Sequence, residues 1–156
     1  MGMLNSLYAM RNALAGSVAF QTWVGASSAQ EAKNHIVLFY GAAEDLPDKY
    51  CALYHAEYRL ERQALGLSAD CFVARPVVVC HFEQETDLTE TTLQEALIEI
   101  AEVVDAIMPD VRDEPWFSAM EPAPDDPSME RLNAGKNLVT LRMIVEFAND
   151  ETDGGT

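Results

Sequence analysis

Apolar and polar positions change period several times along this chain, and each change marks an element. From Met3 to Ala15 apolar residues fall at Leu4, Leu7, Tyr8 and Leu14, with Met10 nearby, the spacing of a short amphipathic helix ended by Gly16. Ser17 reads as an N-cap for a second helical stretch carrying Val18, Phe20, Trp23 and Val24, stopped by Gly25. Ser28 followed by Glu31 is a capping-box pair that opens another turn or two. Ile36 to Tyr40 is β-branched and aromatic, a buried strand that Gly41 closes.

Pro47 and Asp48 then mark a turn. Tyr50 to Arg59 fits two patterns. Alternation sets Cys51, Leu53 and His55 against Ala52, Tyr54 and Ala56, while a helical reading aligns Tyr50, Leu53, Tyr54 and Leu60. The tyrosines and the turn signals that follow favour a strand, with residues 62–70 as a hairpin loop. Cys71 to Glu85 is a strand rich in valine and phenylalanine, and Pro76 places an edge or a bulge near its start. So apolar a stretch calls for a helix over it.

Thr92 to Met108 is predicted as a long helix. Thr92 with Glu95 makes a capping box, Leu93, Leu97, Ile100, Val104 and Ile107 form one stripe widened by Ala96 and Val103, and Pro109 stops it. Burying those five aliphatics stabilises the fold by roughly 1.5–3 kcal/mol each before entropy costs. Residues 109–136 carry five prolines among acids and read as a long loop. Leu138 to Phe147 alternates as a half-buried strand, and the polar residues 149–156 read as a fraying tail. The expected architecture is one α+β domain over 1–148, a mostly antiparallel β-sheet covered by one long helix, with short N-terminal helices.

Charge changes the picture more than composition does. Through Cys80 there are seven acids and six bases, and from His81 onward nineteen acids and four bases, for a net charge of −16. Concentrated like charge costs stability in a compact state. It also disfavours binding to nucleic acid or to an anionic membrane, because both rely on Lys and Arg. No apolar run approaches the roughly 20 residues of a membrane-spanning helix, and the N-terminus reads poorly as a signal peptide, so a soluble chain made in a cytoplasm is expected.

Candidate chemistry is sparse. Cys51, Cys71 and Cys80 form no CxxC pair and are odd in number, which suits small buried hydrophobes better than a disulfide framework. On a strand Cys51 and His55 share a face, and Cys80 or His81 can approach from the neighbour, yet no spacing matches a metal motif. His35 suits a cap or the surface. No nucleophile elbow, phosphate loop or dinucleotide fingerprint occurs, so neither an enzyme nor a cofactor is expected. Glu95, Glu99, Glu102 and Asp105 align on one helix face, and Thr92 to Met108 contains no Lys or Arg. That face is either solvated, set against a basic partner, or part of an electronegative channel. Trp116 and Phe117 either tack the acidic loop to its own domain or anchor a neighbouring subunit.

One family shares this order of elements. Phe20 to Gly25 precedes Ala32 and Ile36, Leu46-Pro47 leads into Cys51 to Tyr58, the loop Glu61 to Gly66 follows, then Arg75 to Glu83, the helix Thr92 to Met108 and the closing strand Leu138 to Phe147. The chain thereby resembles the tail terminator (minor tail, tail completion) proteins of long-tailed bacteriophages, although 109–136 has no clear counterpart there. The resemblance implies a non-catalytic virion protein, assembled in the host cytoplasm. It would form a hexameric ring on the end of the tail tube, stop tube polymerisation and dock the neck or connector protein, while DNA passes through without specific binding. Acids after His81 would then face the hole or the axial surfaces. Another neck or head–tail connector protein, or a small acidic adaptor that binds a basic partner, are the alternatives. An enzyme of unrecognised type is a third.

Overall fold

Punctuation in the first 35 residues is obeyed closely. The computed structural model describes residues 3–38, 46–65, 69–87, 90–122, 128–131 and 136–148, with side chains over most of that span. Helix α1 runs Met3–Gly16 and α2 runs Val18–Val24. Gly25 ends α2 in the left-handed conformation at φ 75°, where a side chain would be strained, and its N–H turns back to Thr22 O. Ser17 holds the N-cap position with no side-chain cap bond, because its hydroxyl donates to Asp110 Oδ2 at 2.7 Å instead. Helix α3, Ala29–Ala32, is capped by Ser28, whose hydroxyl accepts from Glu31 N at 3.1 Å. The Glu31 carboxylate returns to Ser27 N at 2.9 Å rather than to Ser28, a capping box displaced by one residue. Those Ser27 bonds hold Glu31 below the usual carboxylate range.

Strand β1, Ile36–Leu38, follows a single 3₁₀ turn, and the other residues of the expected strand, Phe39 and Tyr40, lie outside the described residues. Residues 50–59 are strand, as favoured, but within a far longer hairpin. Strand β2 runs Lys49–Leu65 and β3 runs Ala69–Asp87, paired from Lys49↔Gln84 to Leu65↔Ala69. Most of the expected loop 62–70 is therefore strand. Pro76 sits where its missing N–H does no harm. The strand on the other side of β3, β6 (Lys136–Phe147), pairs only from Val77 onward, and β2 shifts register between His55 and Glu57 opposite.

Helix α4 spans Glu90–Arg112, so Thr92 lies inside its first turn rather than at its cap, and Pro109 lies inside the helix rather than at its end. Val111, 1% exposed, extends the buried series Ile100, Val104 and Ile107 by one more turn, past the proline. The segment read as a long loop is also partly regular. Strands β4, Phe117–Pro122, and β5, Ser128–Arg131, both pair with β6.

The fold is α+β, with a six-stranded sheet ordered β1-β2-β3-β6-β4 and β5 beside β6. The sheet is mixed, which corrects the expectation of a mostly antiparallel one: β1 runs parallel to β2, while the other pairs are antiparallel. Ten residues, 39–48, separate those two strands in sequence, more than a tight hairpin turn uses. The long helix does not cover the sheet alone. Leu7, Met10 and Leu14 of α1, Phe20 and Trp23 of α2 and the α4 series pack together on Cys51, Leu53, Val78, Cys80, Phe82 and alternate residues of β6 from Val139 to Phe147. Among the described residues, no helix is long and apolar enough to cross a membrane.

Candidate functional site

The outer face of α4 is the first surface to place. Glu95, Glu102 and Asp105 are exposed, and Ile98, 59% exposed, falls in line with them at helical spacings of three, four and three. Glu99 departs from its expected company. It turns to the sheet, where Oε1 accepts from Lys49 Nζ at 2.9 Å and Oε2 from Gln84 Nε2 at 3.1 Å. Gln84 Oε1 in turn accepts from the buried Trp23 Nε1 at 3.1 Å. This chain of bonds ties α2, β2, β3 and α4 together, and it gives the tryptophan N–H and the buried amide their partners.

The Lys49 hydrogen bond, aided by Gln84, holds Glu99 below the ordinary carboxylate range despite partial desolvation. A carboxylate depressed in the folded state contributes stability that is present above its unfolded pKa and lost as pH falls through the folded one. Glu99→Gln is therefore expected to flatten the fall of Tm with acid between about pH 5 and pH 3, by a small amount because the pair is half exposed. Parallel Tm-against-pH curves for the two proteins would refute this.

Trp116 and Phe117 belong to their own domain. Trp116 is 8% exposed and stacks on Phe147 with ring centroids 4.3 Å apart and planes 12° from parallel. Phe117 is half-buried against the same core. Of the two readings given for this pair, the one that tacks the segment to its own domain is what the Trp116 ring suits.

The cysteines and histidines separate instead of converging. Cys51 and Cys80 are free and buried on the helix-covered face. Burial, then the neighbouring Cys80, pushes the Cys51 thiol up, the condition of an unreactive thiol. His81, on the same strand as Cys80, points to the opposite face. His55 hydrogen-bonds Ser6 Oγ through Nε2 at 2.8 Å, and burial lowers its pKa. The His35 ring bonds Lys49 O at 2.9 Å, joining the 3₁₀ turn to β2. Among the described residues, no group of three or more His, Cys, Asp and Glu side chains is placed to hold a metal ion.

Sequence reasoning missed two features. On the second sheet face, Glu83 is 1% exposed with Oε1 3.3 Å from His81 Nε2, and the register sets His81 beside Arg142 and Glu83 beside Thr140. The available signal was faint: Glu83 follows the apolar run Val77 to Cys80 and Phe82 but stands among polar neighbours, His81, Gln84 and Glu85. The other feature is the outer part of the β2/β3 hairpin. Residues 57–65 and 69–76 pair with each other and, among the described residues, with no third strand. At ~3.3 Å per residue this ribbon is about 30 Å long. The chain matches no protein-family model, and no curated protein is significantly similar to it.

Proposed function

We propose that this chain is a structural virion protein that forms a ring on the end of a phage tail tube, ends tube polymerisation and joins the tail to the head connector. The observation that carries the reading is the two-stranded ribbon. A two-stranded hairpin is marginally stable by itself in water, and its outer ladders are open to further pairing, so a ribbon of this length suits a chain that assembles. The order of elements that resembles tail terminators supports the same reading. In such a ring the acidic second half would turn its charge to solvent, the axial surfaces and the hole, where negative walls repel sliding DNA.

A second reading, a monomeric acidic adaptor, is favoured by one observation, the exposed isoleucine set among exposed acids on α4. Purified chain added to polymerising tail tubes decides between them. Capped tubes of limited length, bearing a ring of about six subunits in negative-stain images, are expected for the terminator. Tubes that grow to the length of untreated ones, with no ring at their ends, would overturn it.

A further inference from the structure

We propose that a sulfur-lined cavity in the core binds one Cu(I) ion, held by the Cys80 sulfur and the thioethers of Met10 and Met143, with the Cys51 thiol hydrogen-bonded behind Cys80. The cavity lies inside the subunit, so the site stands independently of the ring reading.

Cys80 is the junction of the donor set. Across the β3/β6 pair it stands directly opposite Met143. Across the β2/β3 pair it is diagonal to Cys51, since Cys51 faces Phe82 and Cys80 faces Leu53. All three side chains lie on the helix-covered face, where Met10 of α1 joins them in the same core. The side chains of Cys51 and Cys80 are hydrogen-bonded to each other, and neither cysteine is in a disulfide. Diagonal neighbours have Cα atoms about 7–8 Å apart, beyond the usual disulfide span, so this pair is not set up to bond to itself.

A cavity of about 10 Å³ lies beside Cys80. Four of the chain's seven methionines line it, Met10, Met108, Met120 and Met143, and no side-chain nitrogen or oxygen does. It has room for a body of about water's size. A buried water, however, needs about two to four polar partners, and these walls offer only sulfur. Thioethers and thiols are poor hydrogen-bonding groups but the preferred donors of soft metal ions, Cu(I) above all. Cys80, Met10 and Met143 are buried. Met108 and Met120 are only partly buried, so the cavity nears solvent between α4 and β4, which gives an ion its way in.

Charge selects a monovalent ion. One thiolate with one Cu(I) makes a neutral centre, and an apolar core accepts that at less cost than a divalent ion or a second thiolate. On uptake the Cys80 S–H bond breaks, its proton goes to solvent and a sulfur–copper bond forms. The thioethers ligate through lone pairs without losing a proton. Copper stays in the +1 state, so no oxidant or reductant takes part. Cys51 keeps its proton and donates it in a hydrogen bond to the Cys80 thiolate, as the contact between the two thiols allows.

The test is anaerobic competition for Cu(I) between the full chain and the chromophoric chelator bicinchoninate. The native chain is expected to withdraw one equivalent of copper, and to melt about 5 °C or more higher with the ion in large excess over Kd. X-ray absorption at copper is expected to show sulfur neighbours alone. Cys80→Ala is expected to lose the site. Met10→Leu with Met143→Leu, close in volume and so folded, is expected to weaken it roughly tenfold or more. Cys71→Ala is expected to bind as the native chain does. The site is overturned by a native chain that leaves copper with the chelator, by nitrogen or oxygen neighbours, or by a Cys71→Ala protein that no longer binds. It is equally overturned by native affinity in Cys80→Ala, or in the double leucine variant, which would make the methionines packing alone. Should Cys80→Ala not fold, Cys80→Val replaces it, and retained binding overturns the site.

Discussion

Trp116→Ala is expected to destabilise the fold by about 3–5 kcal/mol, the range for deleting a large aromatic from a core. At roughly 2–4 °C per kcal/mol for a chain of this size, Tm falls by about 6–20 °C. The ring is 8% exposed and lies flat on Phe147, and its backbone carbonyl accepts from Ala148 N at 2.7 Å, so this residue joins the start of β4 to the end of β6. Stacking adds about 0.5–1.5 kcal/mol to the area it buries. Phe117→Ala, at a half-buried position, is expected to cost clearly less. Thermal melts followed by circular dichroism at one protein concentration measure both. A Trp116→Ala protein that melts within a degree or two of native, yet assembles differently, would return Trp116 to the interface.

Trp116 also illustrates what a sequence can and cannot reveal. Its burial depends on Phe147, 31 positions along the chain, and the acids and prolines around it disguise a strand as a loop. An edge strand such as β4 needs one hydrogen-bonded neighbour and few apolar residues, so alternation is faint there. The ribbon was hidden for a related reason. Glu61, Arg62 and Gln63 are consecutive polar residues, and a ribbon held by cross-strand pairing need not alternate as a half-buried strand does. By contrast, Gly16, Ser17 and Gly25 fix α1 and α2 through local backbone chemistry, and β6 is plain because five of its alternate residues enter the core. The Trp23–Gln84–Glu99–Lys49 chain joins residues far apart in sequence, and no local pattern announces it. On α4 the acidic stripe was legible as a pattern, but only the fold separates Glu99, turned to the sheet, from the neighbours that remain outside.

The end of α4 supplies the other large effect. Val111→Asp is expected to cost about 4 kcal/mol or more, because a carboxylate would replace a side chain 1% exposed that belongs to the hydrophobic core cluster. Val111→Ala, which removes two methyl groups' worth of burial, is expected to cost roughly 1.5–2 kcal/mol. The gap between the two variants is the informative quantity. Pro109 cannot donate to the helical ladder, so the turn beyond it is held by what it buries and by bonds that include Asp113 N to Pro109 O at 3.1 Å, Glu114 N to Val111 O at 3.2 Å and Ser17 Oγ to Asp110 Oδ2 at 2.7 Å. If Val111 is what keeps this turn wound, the aspartate unwinds it, frees the Ser17 contact and loosens the entry to β4, while the alanine leaves all three in place. Hydrogen exchange at the amides of 110–117 reads this directly: protection lost in Val111→Asp and retained in Val111→Ala is the expected result. Equal protection in both would mean that the proline, and not the buried valine, decides where the helix stops holding.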